Sequence, residues 1–388
     1  MECTIDRSAL LAGLGIIAEA ISSRRAHLPI LEHTCITASD TGLTLMATDT
    51  EIELRTTVTA DVRKLGSITM PCQKILGICR SLPSGAALDI RLTDTDKEQI
   101  TLKSGRSRFV VHGLDPEDFP VRTADATDAA NDQLTVPVPT LRSVLEKARQ
   151  VMPQGHERPY LNGVLLKVNG ADLIAVATNG HVMIRATTRI QKSRVTDGEW
   201  ILPAKGVRAL LKILATDDAD ADLAHLTLSA NAVTVVVGPT MLRAQLISGR
   251  FPDVERVIPR YAPSERITID VGKNDLHGLV ERVGLMTVAD DPRASAVVMT
   301  PEADGIRAQA GSQEGEAVDF IDANITMPAG VTCEFGINPA YCTAILSALD
   351  TERTQITLRD GESAGLFQGL HEGAAQEDVV GVLMPVRL

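Results

Sequence analysis

Lys205, Arg208 and Lys212 are the side chains in this sequence whose spacing most plainly suggests chemistry. In ILPAKGVRALLKIL (201–214) they fall at helical spacing, with the apolar Val207, Leu210, Leu211 and Leu214 on the other side of the same helix. A basic stripe of this kind neutralises phosphates and gives affinity for nucleic acid without reading its sequence. The whole chain, however, has 50 acidic residues against 38 Lys and Arg, for a net charge of -12. The stripe must therefore serve a local purpose on an otherwise acidic surface.

Other candidates for chemistry lead to bland readings. GLGIIA (13–18) spells the GxGxxA dinucleotide pattern, but that pattern needs a preceding strand and a tight turn. Here Leu10, Leu11, Leu14, Ile17 and Ile21 run through it at helical spacing, so plain helix is expected. No HExxH zinc site, GxxxxGK[ST] phosphate loop or GxSxG acyl-transfer elbow is expected, and the eight histidines are too dispersed for a metal cluster. Asp49 and Glu51 alternate as on a strand with no partner acid, which reads as solvated edge charge and not as a hydrolytic pair. The six cysteines, Cys3, Cys35, Cys72, Cys79, Cys333 and Cys342, form no CxxC pair and read as reduced, cytosolic core thiols. No catalytic residue, metal or cofactor is expected.

The elements that position the basic stripe are repeated. A chain of 388 residues has room for two or three domains, and its 44% apolar content can fill their cores. Aromatics are only 3%, which disfavours a nucleic-acid site built on base stacking. The longest apolar stretch, LLAGLGIIAEAI, is broken by Glu19 and falls short of the roughly 20 residues that span a bilayer. The start, MECTIDRS, lacks the basic region of a signal peptide, so a cytoplasmic protein is expected.

MPCQKILGICRSL (70–82) is similar to LPAKGVRALLKIL (202–214), about 130 residues later. ATDTE (47–51) matches ATNGH (177–181) and DFPV (118–121) matches RFPDV (250–254) near the same offset. A fainter third copy has TID at 268–270 echoing 4–6, ITLRD at 356–360 echoing LDIRL at 88–92, and INPAYCTAILSAL (337–349) in the helix slot. RTADATDAANDQ (122–133) and PRYAPSER (259–266) read as linkers. The expected fold is α+β, three units at 1–125, 126–258 and 259–388, each with two helices and antiparallel sheet.

RPYLNGVLL, ATNGH, SGRSRF, GRFPDV and the terminal LMPVRL, in that order on three weakly similar units, resemble the bacterial DNA polymerase III beta-subunit sliding-clamp family. The resemblance spans the chain, strongly in the first two units and loosely in the third. It implies repeated DNA-clamp domains, a head-to-tail dimer closing a six-domain ring around duplex DNA, and a non-enzymatic processivity factor. It also implies that ATP belongs to a clamp-loader partner. Two other readings stay open: a divergent paralogue serving repair, a plasmid or resistance, and an acidic protein-binding scaffold that never encircles DNA.

The same resemblance assigns roles. Lys205, Arg208 and Lys212 would face the DNA, with Arg142, Lys147 and Arg149 in unit two, Lys74 and Arg80 in unit one, Lys273 and Arg282 in unit three, and Arg25. NPAYCTAILSAL has no Lys or Arg, so the inner surface should be least cationic there. A groove for a short peptide of polymerases and other partners would use Leu161, Thr178, Gly180, His181, Pro252, Arg256 and Val257. The third unit would add Asn338, Tyr341, Val382, Met384, Pro385, Val386 and Arg387. Val182 stands where the family often has Arg, and Pro159 where an aromatic is common, so the preferred peptide is expected to differ.

At the subunit seam, Arg106, Arg108, Phe109 and Val111 would face Glu314, Glu316 and Asp319, with Met286 adding apolar contact. Thr287 sits where the resemblance implies a second large aliphatic side chain, which predicts a seam weaker by about 1 to 2 kcal/mol.

Overall fold

The computed structural model describes residues 1–21, 28–94, 98–121, 132–190, 197–216, 221–287 and 296–388. Six helices occur among them, each entered directly from a strand or one residue after it: α1 (Arg7–Ile17), α2 (Cys72–Ser81), α3 (Val138–Ala148), α4 (Ala204–Leu214), α5 (Lys273–Gly284) and α6 (Pro339–Ala348). All paired strands are antiparallel, and the helices fall two to a repeat, as the periodicity predicts.

The Asp6 carboxylate caps α1, accepting from Ser8 N at 2.7 Å and Ala9 N at 3.3 Å. Leu10, Leu14 and Ile17 are buried, so GLGIIA is helix. Gly13 within it lets the helix approach the sheet: a Cβ there would lie 2.7 Å from Leu45 and 2.8 Å from Val58 side-chain carbons. In α4 the buried face is wider than the four expected residues, because Gly206, Ala209 and Ile213 are buried too. Only a narrow strip around Arg208 and Lys212 is exposed.

The chain packs as two compact units. The first, Met1–Arg142 with Lys205–Leu246, holds a five-stranded and an eight-stranded sheet. In the eight-stranded sheet Thr240–Gln245 of the second repeat pairs with Ile52–Val58 of the first, Leu242 opposite Leu54. The Thr56 and Thr240 hydroxyls share a buried hydrogen bond of 2.8 Å across that junction. The second unit, Ser143–Gln191, Asp197–Ala204 and Ile247–Leu388, holds a twelve-stranded sheet. There Val182–Arg189 of the second repeat pairs with Ala374–Leu383 of the third. Packing units thus cut across the repeats because a strand ladder bridges each repeat boundary within the chain.

Two expectations are corrected. Gln133 does not belong to a linker: it lies in the strand Asp132–Pro137, where Leu134 and Val136 alternate into the core, while 122–131 lies outside the described residues. Asp49 and Glu51 do not sit on a strand. They form the turn between Gly42–Thr48 and Ile52–Val58, where Asp49 Oδ1 accepts from Glu51 N at 3.0 Å and Ile52 N at 2.8 Å.

All six cysteines are free and buried. Burial pushes the thiols of Cys72 and Cys342 up to about 12 and those of Cys3, Cys79 and Cys333 up to about 11. A raised thiol pKa depletes the reactive thiolate at neutral pH. The native protein is therefore expected to consume less than about one equivalent of an alkylating reagent in the time that the denatured chain consumes all six. Rapid native labelling, followed by mass spectrometry, would contradict this packing.

Candidate partner groove, inner cations and seam edges

Two of the candidate groove residues, Leu161 and Val382, belong to one buried apolar cluster, the floor of the candidate groove. Leu161, Leu165, Val176, Met183, Ile201, Phe251, Val380 and Val382 form a buried cluster, and Tyr160, Val254, Ile258, Ala364 and Leu366 pack half-buried against it. Leu161 and Val382 thus sit in the floor itself. ATNGH is the turn at its rim: Thr178 Oγ1 donates to Val182 O at 2.8 Å, and Asn179 Oδ1 accepts from His181 N and Val182 N at 2.9 and 3.0 Å. Gly180 takes φ +88, a left-handed conformation that glycine adopts without strain. Thr48 and Asp49 build the same turn in the first repeat, which explains why the two motifs look alike.

The tail is fixed at both sides. Met384 N donates to His181 O at 2.8 Å and Val386 N to Gly336 O at 2.9 Å. A Cβ at Gly336 would stand 2.6 Å from Val386 O, so only glycine lets the tail lie that close. The His181 and Tyr341 rings stack at 6.5 Å with an 8° interplanar angle. Met384, Arg387 and Val257 are exposed, Pro252, Pro385 and Val386 half-buried. Arg256 pairs with Asp253 at 3.0 Å. Asn338 is placed differently from expectation: it is buried and caps α6, the helix that carries Tyr341, accepting from Tyr341 N at 3.2 Å.

Sequence reasoning missed Met183, which lies opposite Val382 and whose place on the floor follows from strand alternation. It also missed Arg185, opposite Val176 and Val380, whose guanidinium reaches Glu255 at 2.9 Å and ties the short helix Val254–Arg256 to the floor. Val182 is buried opposite Leu383, so an apolar residue suits that position. GESAG (361–365) spells GxSxG without its structural context. Ser363 lies in the loop between the strands Arg353–Leu358 and Gly365–His371, accepting from Arg359 N and Asp360 N at 3.2 and 3.1 Å. A nucleophile elbow needs a strand-to-helix turn, and this is a strand-to-strand turn.

The candidate DNA-facing cations are less free than a stripe of lysines suggests. Lys205 donates to Asp49 Oδ2 and to Ala20 O, the latter at 3.3 Å, and Lys212 pairs with Glu19 at 2.8 Å. Lys147 pairs with Asp350 at 2.5 Å, and Lys273 donates to Leu349 O at 2.8 Å. Lys74, Arg80, Arg142, Arg149 and Arg208 are exposed. Arg25 lies outside the described residues.

At the seam edges, Ser107–His112 is the last strand of its sheet, and residues 315–322 of the strand Gly315–Thr326 pair on one side only, with Gly305–Ser312. Arg106, Arg108, Glu314 and Glu316 are exposed, and Phe109 is half-buried. Val111 is buried on the inward face, leaving its neighbour Val110 exposed. Asp319 is corrected: it pairs in its own chain with Arg282, at 2.8 Å to Nε and 2.7 Å to Nη2, and this hydrogen bonding holds its carboxyl below the usual range. Arg282 is thereby a structural partner as well. Thr287 donates to Gly284 O at 2.7 Å and closes α5, Met286 is half-buried, and the aliphatic group left in solvent is Leu285, 79% exposed. Val318 and Phe320 are exposed on the face of the strand Gly315–Thr326 opposite Asp319.

Among the described residues no group of three or more metal-ligating side chains gathers, and no helix is long and apolar enough to cross a membrane. Three family models match in succession: the DNA polymerase III beta-subunit N-terminal domain over residues 1–123, its central domain over 135–253 and its C-terminal domain over 255–387. The beta sliding clamp of Pseudomonas aeruginosa is 30% identical over 389 residues, and that of Escherichia coli K12 30% over 390, each alignment covering both chains completely. A crystal structure of the Pseudomonas aeruginosa clamp bound to griselimycin superposes with a TM-score of 0.89 at 29% identity, covering 100% of both chains. The Bacillus subtilis clamp shares the fold at a TM-score of 0.88 and 20% identity, over 100% of this chain and 99% of its own. With its whole length matched domain by domain, the chain belongs to the DNA polymerase III beta-subunit family, the bacterial sliding clamps.

Proposed function

We propose that two copies of this chain close head to tail around duplex DNA, with α1 to α6 turned to the phosphates and the groove floored by Met183 and Val382 capturing partner peptides. The chain is a DNA polymerase processivity factor and not an enzyme. It pairs as a homodimer, encircles DNA and binds polymerase and other clamp-binding proteins. Its place is the bacterial cytoplasm, on the replicating nucleoid, and a clamp-loader ATPase opens it. The repeats we infer are 1–125, 126–258 and 259–388.

One observation carries the closure: each repeat boundary within the chain is bridged by a strand ladder, and among the remaining open strand edges two carry opposite charge. Arg106 and Arg108 mark one edge, Glu314 and Glu316 the other, which favours head-to-tail pairing over like with like. The paralogue and scaffold readings are not favoured, because sliding-clamp family models and full-length clamp relatives cover the chain. Sedimentation across a dilution series tests closure. Twice the 41.5 kDa chain mass is expected to persist on dilution, and a monomer throughout would overturn the reading.

A further inference from the structure

The basic residues of α3 and α4 meet acids from other repeats. Lys205 and Lys212 of the second repeat pair with Asp49 and Glu19 of the first, and Lys147 of the second with Asp350 of the third. We infer that Asp49 and Glu19 restrain the chain's attraction to DNA by occupying Lys205 and Lys212, so that phosphate must compete with a carboxylate already in place. The inference rests on the reading that α4 faces the duplex.

Asp49 is built for this. Its Oδ1 is held by two backbone N–H groups of its own turn, leaving Oδ2 to meet Lys205. The pair is largely shielded, with side chains 13% and 25% exposed, so solvent screens it less than a surface pair. Turn closure does not require the charge: Asn179 makes the same two backbone contacts in the second repeat, at 2.9 and 3.0 Å, as a neutral amide. The carboxylate at 49 adds only the hold on Lys205. Lys212 and Glu19 are more exposed, at 44% and 35%, and form the looser member of the set. Arg208 stands between the two lysines, exposed on the same strip. A ring that must slide gains from weak attraction, since each firm phosphate contact has to be broken at every step. Lysines held by carboxylates stay ordered near the duplex yet contribute only part of their charge to it.

The chain supplies its own control, because Asp49→Asn copies the turn already present at Asn179. The test is binding of the full-length protein to a short linear duplex, followed by fluorescence anisotropy over a series of salt concentrations. Asp49→Asn with Glu19→Gln is expected to bind about tenfold tighter at low salt, and the log–log salt slope to steepen by up to about 0.9 for each lysine released. Adding Lys205→Ala and Lys212→Ala should cancel both changes. A general loosening of the fold would not steepen the slope, so unchanged affinity and slope in a double variant that binds overturn the inference. If that variant melts early, Glu19→Gln alone is read by the same slope. A wild-type protein that neither binds the duplex nor stays on nicked circular DNA would instead remove the DNA-facing reading, and this inference with it.

Discussion

Replacing Leu285 by aspartate is expected to convert the dimer to monomer at concentrations where the unaltered chain stays paired. Leu285 caps the C-terminus of α5 with 79% of its surface in solvent. Covering a leucine contributes about 1.5 to 3 kcal/mol. An aspartate in its place must also give up hydration without a partner, and a two-fold dimer has two such seams. A loss of about 4 kcal/mol or more weakens association about a thousandfold. Light scattering reads the result directly. Thr287→Val is expected to do far less, because Thr287 is half-buried and already uses its hydroxyl on Gly284 O. A dimer that tolerates Leu285→Asp would relocate the seam.

The second large effect belongs to the groove. Met384→Ala with Leu388→Ala should abolish stimulation of polymerase while leaving the native mass unchanged. Met384 is exposed beside the His181 turn, with its backbone already fixed by His181 O, so the main chain there needs no further ordering. Leu388 is 67% exposed at the chain end, next to the Gly336 strand. Two apolar anchors lost from a peptide site remove about 3 kcal/mol, or about a hundredfold in Kd. Peptide titration against the purified dimer measures it. Unchanged stimulation would mean that polymerase docks elsewhere.

What the sequence makes legible follows from local rules. ATDTE and ATNGH look alike because Thr48 and Thr178 close the same turn with Asp49 and Asn179. The six helices are readable because Cys72, Ile75, Leu76 and Cys79, or Val207, Leu210, Leu211 and Leu214, share a buried face. Legibility ends where partners are distant in sequence. Nothing local says that Lys205 meets Asp49, 156 positions away, or that Asp319 pairs with Arg282 of its own chain. Helix ends and strand parity are the other weak points. One step decides between Leu285 in solvent and Met286 half-buried, and one step turns Val111 inward and leaves Val110 out. GESAG shows the converse: a spelling carries chemistry only where the backbone supplies the right turn.

The most direct test of a ring threaded by DNA is topological. The chain, loaded by a clamp-loader ATPase onto a nicked circular plasmid, is passed through a sizing column in salt high enough to suppress phosphate contacts. Co-elution with the circle, and loss of the protein once a single cut makes the DNA linear, is the predicted result. Equal retention on circular and linear DNA, or none on either, would contradict encirclement.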